Sequence, residues 1–146
     1  MSIHRALALA LLLAPPIARA ACSVEPTPVV FGAYSPFDGA PADTTGTLRV
    51  SCDAVTVGYT LLLGSGGAGS YAPRRLSGGA HTLAYNLYAD VLRTVIWGDG
   101  SAGTATVSGA FALPGTAEHT VYARVPARQN VGAGSYSDAV TVTINF

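Results

Sequence analysis

The sequence predicts an all-β fold in which antiparallel strands form a sandwich or a barrel. Apolar and polar residues alternate over segments of about five to eight residues, which is typical of strands buried on one face. The alternation is clearest in the stretches that begin at Thr47, Val57, Leu83, Val121 and Val140. No segment has the apolar period of an amphipathic helix. Clusters of Gly, Pro, Ser and Asp separate the alternating stretches and predict turns over 35–46, 64–70, 77–80, 98–103, 114–118 and 129–135. Frequent turns without a helical period favour two packed antiparallel sheets.

The first twenty residues have the pattern of an export signal. His4 and Arg5 give a basic start, residues 6–14 are an apolar run, and Ala-Arg-Ala at 18–20 is a small-x-small cleavage site. The run is shorter than the roughly 20 apolar residues that a spanning helix needs. We therefore expect residues 1–20 to be a signal peptide removed after export through the Sec pathway to the periplasm. Residues 21–146 then form one domain.

Charge is sparse in this chain. The full sequence has 146 residues, with 8 Lys+Arg, 8 Asp+Glu and 49% hydrophobic residues. Removal of residues 1–20 takes away Arg5 and Arg19, which leaves six basic against eight acidic residues and a net charge of −2. A domain with this balance lacks the basic surface that nucleic-acid binding requires, so no nucleic-acid partner is predicted.

Cys22 and Cys52 are the two cysteines of the chain. An oxidising compartment would join them, and closing a loop of about 30 residues stabilises a fold by roughly 3–4 kcal/mol. Zinc binding is less well supported, because two isolated cysteines without a nearby histidine do not make a four-ligand site. A catalytic thiol is also less well supported, because a second cysteine is available for pairing. We predict a structural disulfide and no metal.

Two segments, 64–69 and 98–103, match the pattern G-x-G-x-x-G. In nucleotide-binding proteins that loop opens a helix, whose N-terminus holds the phosphates. Here Pro73 follows the first segment closely and a strand-like Thr-Ala-Thr-Val follows the second. We interpret both as hairpin loops, with no nucleotide cofactor.

No catalytic signature is present. There is no G-x-S-x-G nucleophile motif. His81 and His119 are isolated, and we expect them to be surface histidines at strand edges. A Ser-His-Asp set could still assemble in space, so a hydrolase is kept as the weakest hypothesis. Four aspartates fall where turns favour Asp: Asp38, Asp43, Asp90 and Asp99. We predict no enzyme activity, no cofactor and no small-molecule substrate.

Three stretches together resemble a known family. Residues 85–90 read Tyr-Asn-Leu-Tyr-Ala-Asp, and residues 97–104 read Trp-Gly-Asp-Gly-Ser-Ala-Gly-Thr. The tail 121–146 begins Val-Tyr-Ala-Arg-Val-Pro-Ala-Arg-Gln and ends Asp-Ala-Val-Thr-Val-Thr-Ile-Asn-Phe. The chain resembles, from Cys22 to Phe146, the spore coat protein U domain, which is shared with the pilin subunits of archaic Csu-type chaperone–usher pili.

The resemblance implies an incomplete immunoglobulin-like β-sandwich, a pilin fold lacking its last strand. In such subunits an apolar groove lies between the first and final strands. A periplasmic pilus chaperone fills it with a strand, and a neighbouring pilin subunit's N-terminal extension replaces that strand at the outer-membrane usher. The implied partners are therefore the chaperone, the usher and a neighbouring subunit, and the implied final location is the cell surface, a pilus or the exterior.

The groove would be bordered by the apolar residues near the two ends of the mature chain. An exposed apolar edge strand is an aggregation hazard that a partner strand removes. The alternative, that residues 140–146 are a paired core strand, is compatible with this, because their apolar face lies in the core either way. The candidate groove and edge residues are Val29, Val30, Phe31, Val140, Val142, Ile144 and Phe146.

One feature departs from the family pattern. Donor subunits carry an extension before the first cysteine, whereas cleavage after Ala20 leaves Ala21 alone before Cys22. A strand advances about 3.3 Å per residue, so one residue cannot cross a groove. Pro26 and Pro28 lack the N–H groups that a donor strand needs. We expect a subunit that accepts a strand but does not donate one, as at a pilus tip. The alternative is a self-contained secreted coat or surface-binding module that does not polymerise.

Overall fold

Two antiparallel sheets face each other in the computed structural model, which describes residues 21–53 and 57–146. Within those residues the chain forms β-strands and no helix. The strands are β1 (Cys22–Pro26), β2 (Ala42–Cys52), β3 (Val57–Leu63), β4 (Arg74–Gly78), β5 (His81–Tyr88), β6 (Val107–Phe111), β7 (Gly115–Val125) and β8 (Val142–Asn145). The larger sheet has five strands in the order β1-β2-β7-β5-β4, and the smaller has three in the order β6-β3-β8.

The predicted alternation places one face of each long strand in the core. In β2, Leu48 and Val50 are buried whereas Arg49 between them is exposed. In β3, Leu61 and Leu63 face the same core from the other sheet, with Leu62 half-buried between them. The all-β prediction is confirmed, and the core lies between the two sheets.

The longest pairing extends further than the turn signals predicted. β2 and β7 pair over 11 residues, from Ala42 opposite Val125 to Cys52 opposite Gly115. The prediction of turns over 35–46 and 114–118 is therefore wrong at positions 42–46 and 115–118. Position 46 of this strand is a glycine because Val29 passes directly over it: a Cβ on Gly46 would lie 2.7 Å from the Val29 Cγ2 atom.

The disulfide joins the first two strands. Cys22 and Cys52 are bonded, and they lie directly opposite each other in the β1–β2 pairing. The disulfide predicted from the cysteine count is therefore present, and it fixes the start of β1 to the end of β2.

A buried arginine links the ends of several strands. Arg74 in β4 is 0% exposed. Its guanidinium donates to the Gly64 carbonyl oxygen at 2.8 and 3.0 Å, to Asn86 Oδ1 at 2.8 Å and to the Trp97 carbonyl oxygen at 2.7 Å. Burial lowers its pKa. Because a buried polar group is stable only when it is hydrogen-bonded, these three acceptors explain how a cation is held in the core.

Candidate functional site: an open groove between the first and last strands

The two sheets are not joined along one side of the sandwich. β1 is the edge of the larger sheet and β8 is an edge of the smaller one, and no pairing connects them in the described residues. Cα atoms of the two strands come within 8 Å of each other. An unpaired seam therefore runs between the first and last strands, and it widens into a groove beyond their ends.

The first wall of the groove is residues 26–37. Its beginning still pairs with β2, because the Thr27 N–H donates to the Thr47 carbonyl oxygen at 2.8 Å. Beyond Pro28, the side chains of Val29 and Phe31 are half-buried. The Phe31 ring packs edge-on against a core tyrosine, Tyr85, at a centroid distance of 6.0 Å. Apolar side chains thus fix the position of this wall where backbone pairing stops.

The second wall is residues 131–144. From position 136 to position 144 every second side chain is half-buried and the intervening ones are exposed. Ser137 is fastened to β4 by two reciprocal backbone hydrogen bonds to Ser77, of 2.8 and 3.0 Å. The Thr141 carbonyl oxygen accepts from the Gly64 N–H at 2.8 Å. This wall therefore crosses from β4 of the larger sheet to β3 of the smaller one.

The space between the walls is large and mainly apolar. A cavity of 820 Å³ lies between residues 29–37 and residues 131–138, and one of 280 Å³ continues towards Pro26 and Val142. The core side chains of the floor are Leu48, Leu63, Leu76, Leu83, Tyr85, Leu87, Val121 and Val125. The groove gives an extended apolar guest direct access to the core of the sandwich.

Asp138 is a polar group in the second wall, and the protein itself supplies its partners. Its Oδ1 atom accepts from the Gly67 N–H at 2.8 Å and from the Ala139 N–H at 2.9 Å, and its Oδ2 atom accepts from the Tyr85 hydroxyl at 2.6 Å. Burial, with this hydrogen bond, raises the pKa of Tyr85. Gly66 has φ +76°, and a Cβ there would collide with the Asp138 carboxylate. The carboxylate therefore anchors the glycine loop 64–69 to the wall.

At the wide end, a tyrosine of the first wall bonds to the segment that precedes the second wall. The Tyr34 hydroxyl donates to the Pro126 carbonyl oxygen at 3.0 Å and accepts from the Gln129 N–H at 2.8 Å. The Gln129 side chain in turn bonds the N–H and the carbonyl oxygen of Ala84 in β5, both at 2.8 Å. These bonds fix the end of the groove independently of any occupant.

Five of the seven groove residues named from the sequence line the cavities: Val29, Val30, Phe31, Val140 and Val142. The other two do not. Ile144 is half-buried against the core, and Phe146 lies beyond the end of β8 with 57% of its surface exposed. Sequence reasoning missed Tyr136 and Asp138, although their spacing continues the alternation of β8 backwards.

The candidate catalytic residues do not form a site. His81 is exposed at the first residue of β5. The expectation that both histidines lie at surface edges is wrong for His119, which lies in the middle of β7 with its Nε2 atom 2.7 Å from the Tyr59 hydroxyl. Burial lowers the pKa of His119. The residue faces inward because β7 is a central strand and Tyr59 reaches it from the opposite sheet.

Three of the four aspartates named from the sequence have structural partners. Asp43 lies in β2 and binds Arg124 at 2.7 Å, and hydrogen bonding to that guanidinium lowers the pKa of Asp43. Asp90 accepts from the Thr94 N–H at 2.9 Å and Asp99 accepts from the Ser101 N–H at 2.9 Å, both within turns. In residues 21–53 and 57–146, no three His, Cys, Asp or Glu side chains lie close enough to hold a metal ion. Nor does that part of the chain contain a helix long and apolar enough to cross a membrane.

This architecture defines the class of protein: an all-β, immunoglobulin-like sandwich that lacks a strand beside its last one. The chain belongs to the spore coat protein U domain family, whose pattern it matches over residues 8–143. A relative from Myxococcus xanthus named Protein U is 36% identical over an alignment 128 residues long, and the alignment covers 80% of this chain and 70% of the relative.

Solved structures of pilus subunits match this chain to different degrees. One is the CsuC–CsuE chaperone–tip adhesion subunit pre-assembly complex from archaic chaperone–usher Csu pili of Acinetobacter baumannii. The match has a TM-score of 0.61 and 20% identity, and it covers 87% of this chain. This chain spans 40% of the length of that one. The other is the Escherichia coli Hda pilus minor tip subunit, HdaB, with a TM-score of 0.44 and 16% identity over 82% of this chain and 79% of that one.

Proposed function

We propose that the protein is an exported structural subunit of a chaperone–usher pilus and that its groove accepts a β-strand from another chain. The observation that carries the proposal is the second wall, which is paired on one side and lines an apolar groove on the other. A guest strand placed there gains backbone hydrogen bonds along the wall, and its alternate side chains enter the core. The guest completes the sandwich.

The partners follow from the same geometry. An open groove between the two edges must be covered during export, because an unpaired apolar edge promotes aggregation. A periplasmic chaperone serves this purpose, an outer-membrane usher exchanges it, and a neighbouring subunit supplies the permanent strand. Family membership and the fold shared with a subunit of the Csu assembly support this assignment. No catalytic role is proposed.

We propose further that this subunit only accepts a strand, as a tip subunit does. The residues from Ala21 to Pro26 are already hydrogen-bonded within the larger sheet. The Ala21 N–H donates to Asp53 Oδ1 at 2.8 Å, its carbonyl oxygen accepts from the Asp53 N–H at 3.0 Å, and the disulfide holds Cys22. Residues 1–20 would not serve as a donor strand either, because the predicted signal cleavage removes them.

A second candidate is a secreted coat or surface-binding module that folds alone and does not polymerise. The hydrogen bonding within the fold favours this candidate, because among the described residues every buried side-chain nitrogen and oxygen has a hydrogen-bond partner. The two candidates differ in whether the groove takes a strand from another molecule.

A gain-of-donor experiment tests the proposal. An extension of about twelve residues of alternating Val and Thr, long enough to run along a groove, is placed before Cys22 of the mature protein. We expect head-to-tail polymers from the extended protein and monomers from the mature protein. The control extension carries Ser in place of Val. An extended protein that stays monomeric would contradict the accepting groove, and polymers of the unextended mature protein would contradict the acceptor-only role.

A further inference from the structure

The two walls offer different backbone groups to a guest strand. What this difference means for a guest rests on the accepting groove proposed above. Successive residues of a strand direct their N–H and C=O groups to opposite sides. In the second wall, the bonds of Ser137 to β4 and of Thr141 to β3 fix which residues face away from the groove. The even-numbered residues between and after them, including Val140 and Val142, therefore direct their N–H and C=O groups into the groove. This wall presents donors and acceptors in regular alternation.

The first wall is fixed in the same way by its pairing with β2. The Ala21 carbonyl oxygen accepts from the Asp53 N–H, and the Thr27 N–H donates to the Thr47 carbonyl oxygen. The residues that face the groove are therefore the even-numbered ones, and at position 26 the residue is proline. Pro28 also has no N–H to offer. Between the Val24 and Val30 amides, six residues or about 20 Å of extended chain, this wall presents carbonyl oxygens but no donor to the groove.

We infer that a strand held in the groove forms its hydrogen-bond ladder with the second wall only. A regular antiparallel ladder requires N–H and C=O groups from both partners. Along the first wall the guest's carbonyl oxygens meet no donor, so contact there is made by the side chains of Val29 and Phe31. Proline on an edge strand also protects that edge against pairing with other chains. The prolines thus direct an extended guest to one wall and one register.

The width of the seam limits the same ladder to the wide part of the groove. Two strands that flank a third lie about 9.5 Å apart, twice the usual spacing. Cα atoms of β1 and β8 already come within 8 Å. The groove widens towards residues 131–138, where the larger cavity lies. Val140 and Val142 line the smaller cavity, at the end of β8 that adjoins the wide part of the groove, so pairing is expected there.

Amide hydrogen exchange measures which wall is paired. The guest is a tethered strand: the mature chain is extended after Phe146 by about six Gly/Ser residues and about nine residues that alternate Val and Thr. A control tether replaces Val by Ser. With the alternating tether we expect exchange at the Val140 and Val142 amides to slow by tenfold or more, and exchange at Val24 and Val30 to stay unchanged.

The other outcomes separate the two proposals. Slower exchange at Val24 and Val30 as well as at the second wall would overturn the one-sided ladder and leave the accepting groove in place. Unchanged exchange at all four amides would contradict the accepting groove itself.

Restoring the missing donors gives an independent test. A Pro26→Ala/Pro28→Ala variant restores two amides that face the groove. In it, the tether should slow exchange from the folded state about five- to a hundredfold more than it does in the parent, which corresponds to two added hydrogen bonds. Comparison with the untethered variant removes the effect of proline on the unfolded chain. Pro41→Ala, an exposed proline outside the groove, is the control. An equal effect of the tether in the parent and in the double variant would contradict the role given to the prolines.

Discussion

At the scale of single residues, a few polar side chains fasten the glycine loop 64–69 to the second wall of the groove. Arg74 binds the Gly64 carbonyl oxygen, and the N–H of the same Gly64 donates to Thr141. Asp138 binds the Gly67 N–H. The Arg74 guanidinium is buried, and a buried hydrogen bond is costly to leave unmade, so Arg74 fixes the position of Gly64, which in turn holds Thr141 of the wall.

The first prediction concerns Arg74. Arg74→Met keeps an apolar chain of similar length but removes the donor to the Gly64 and Trp97 carbonyl oxygens, whereas Asn86 Oδ1 still accepts from the Leu87 N–H. We therefore expect a loss of about 3 kcal/mol in the free energy of unfolding. Arg75→Met is the matched control, because Arg75 is exposed on the same strand. Urea denaturation measures both. Equal midpoints for the two variants would contradict the role given to the buried guanidinium.

The second prediction concerns His119. Burial holds the pKa of its imidazole below the ordinary value of 6.5, so the folded protein favours the neutral form, whose Nε2 atom is hydrogen-bonded to the Tyr59 hydroxyl. The unfolded chain takes up a proton near pH 6.5. The stability that this difference provides is complete above pH 6.5 and is lost as the pH falls below it.

Urea midpoints measured between pH 8 and pH 5 test this, over a range that extends to about 1.5 pH units below the ordinary pKa of histidine. We expect His119→Gln to reduce the fall in stability below pH 6.5, and His81→Gln, at an exposed site, to leave it unchanged. An identical pH dependence in the parent and the His119→Gln variant would argue against the assignment.

At the scale of elements, the first wall depends on a close approach between two segments of backbone. Gly46 in β2 leaves room for Val29 and for the Thr27 carbonyl oxygen, which would lie 3.1 Å from a Cβ at that position. The segment after β1 can therefore lie flat over β2, where the side chains of Val29 and Phe31 reach the groove.

The third prediction follows from that approach. Gly46→Ala should displace the first wall and destabilise the protein by about 1–3 kcal/mol, as overpacking of a filled interior does. Gly58→Ala is the control, because Gly58 also lies in a strand but a Cβ there meets nothing within 4 Å. Urea denaturation compares the two variants. A Gly46→Ala variant as stable as Gly58→Ala would show that Val29 moves aside at no cost.

Alternation of apolar and polar residues in the sequence was sufficient to predict the strands that bury one complete face. β2, β3, β5, β7 and β8 were all predicted in this way, although the ends of β2 and β7 were wrong. β1, β4 and β6, of five residues each, were not singled out. β1 contains Pro26, and Arg74 points into the core from β4, so neither has a clear apolar face. The second wall before β8 is rich in Gly and Ser, so its composition is that of a turn. Its backbone is also paired at isolated points instead of along a continuous strand.

At the scale of the whole molecule, the sandwich is open along one seam and fastened elsewhere. The disulfide holds one end of β1, and the Tyr34–Gln129 hydrogen bond holds the far end of the groove. The sequence resemblance predicted an incomplete sandwich with its open side between the first and last strands. It did not predict how far the groove extends along residues 131–138, because that extent depends on a wall that crosses between sheets.

The urea midpoint of the tethered-strand protein tests the central claim, that the groove is the place of a missing strand. With the alternating Val/Thr tether after Phe146, several valines become buried, and we expect the free energy of unfolding to rise by about 3 kcal/mol or more over that of the Ser-substituted tether. Equal midpoints for the two tethers would contradict the claim.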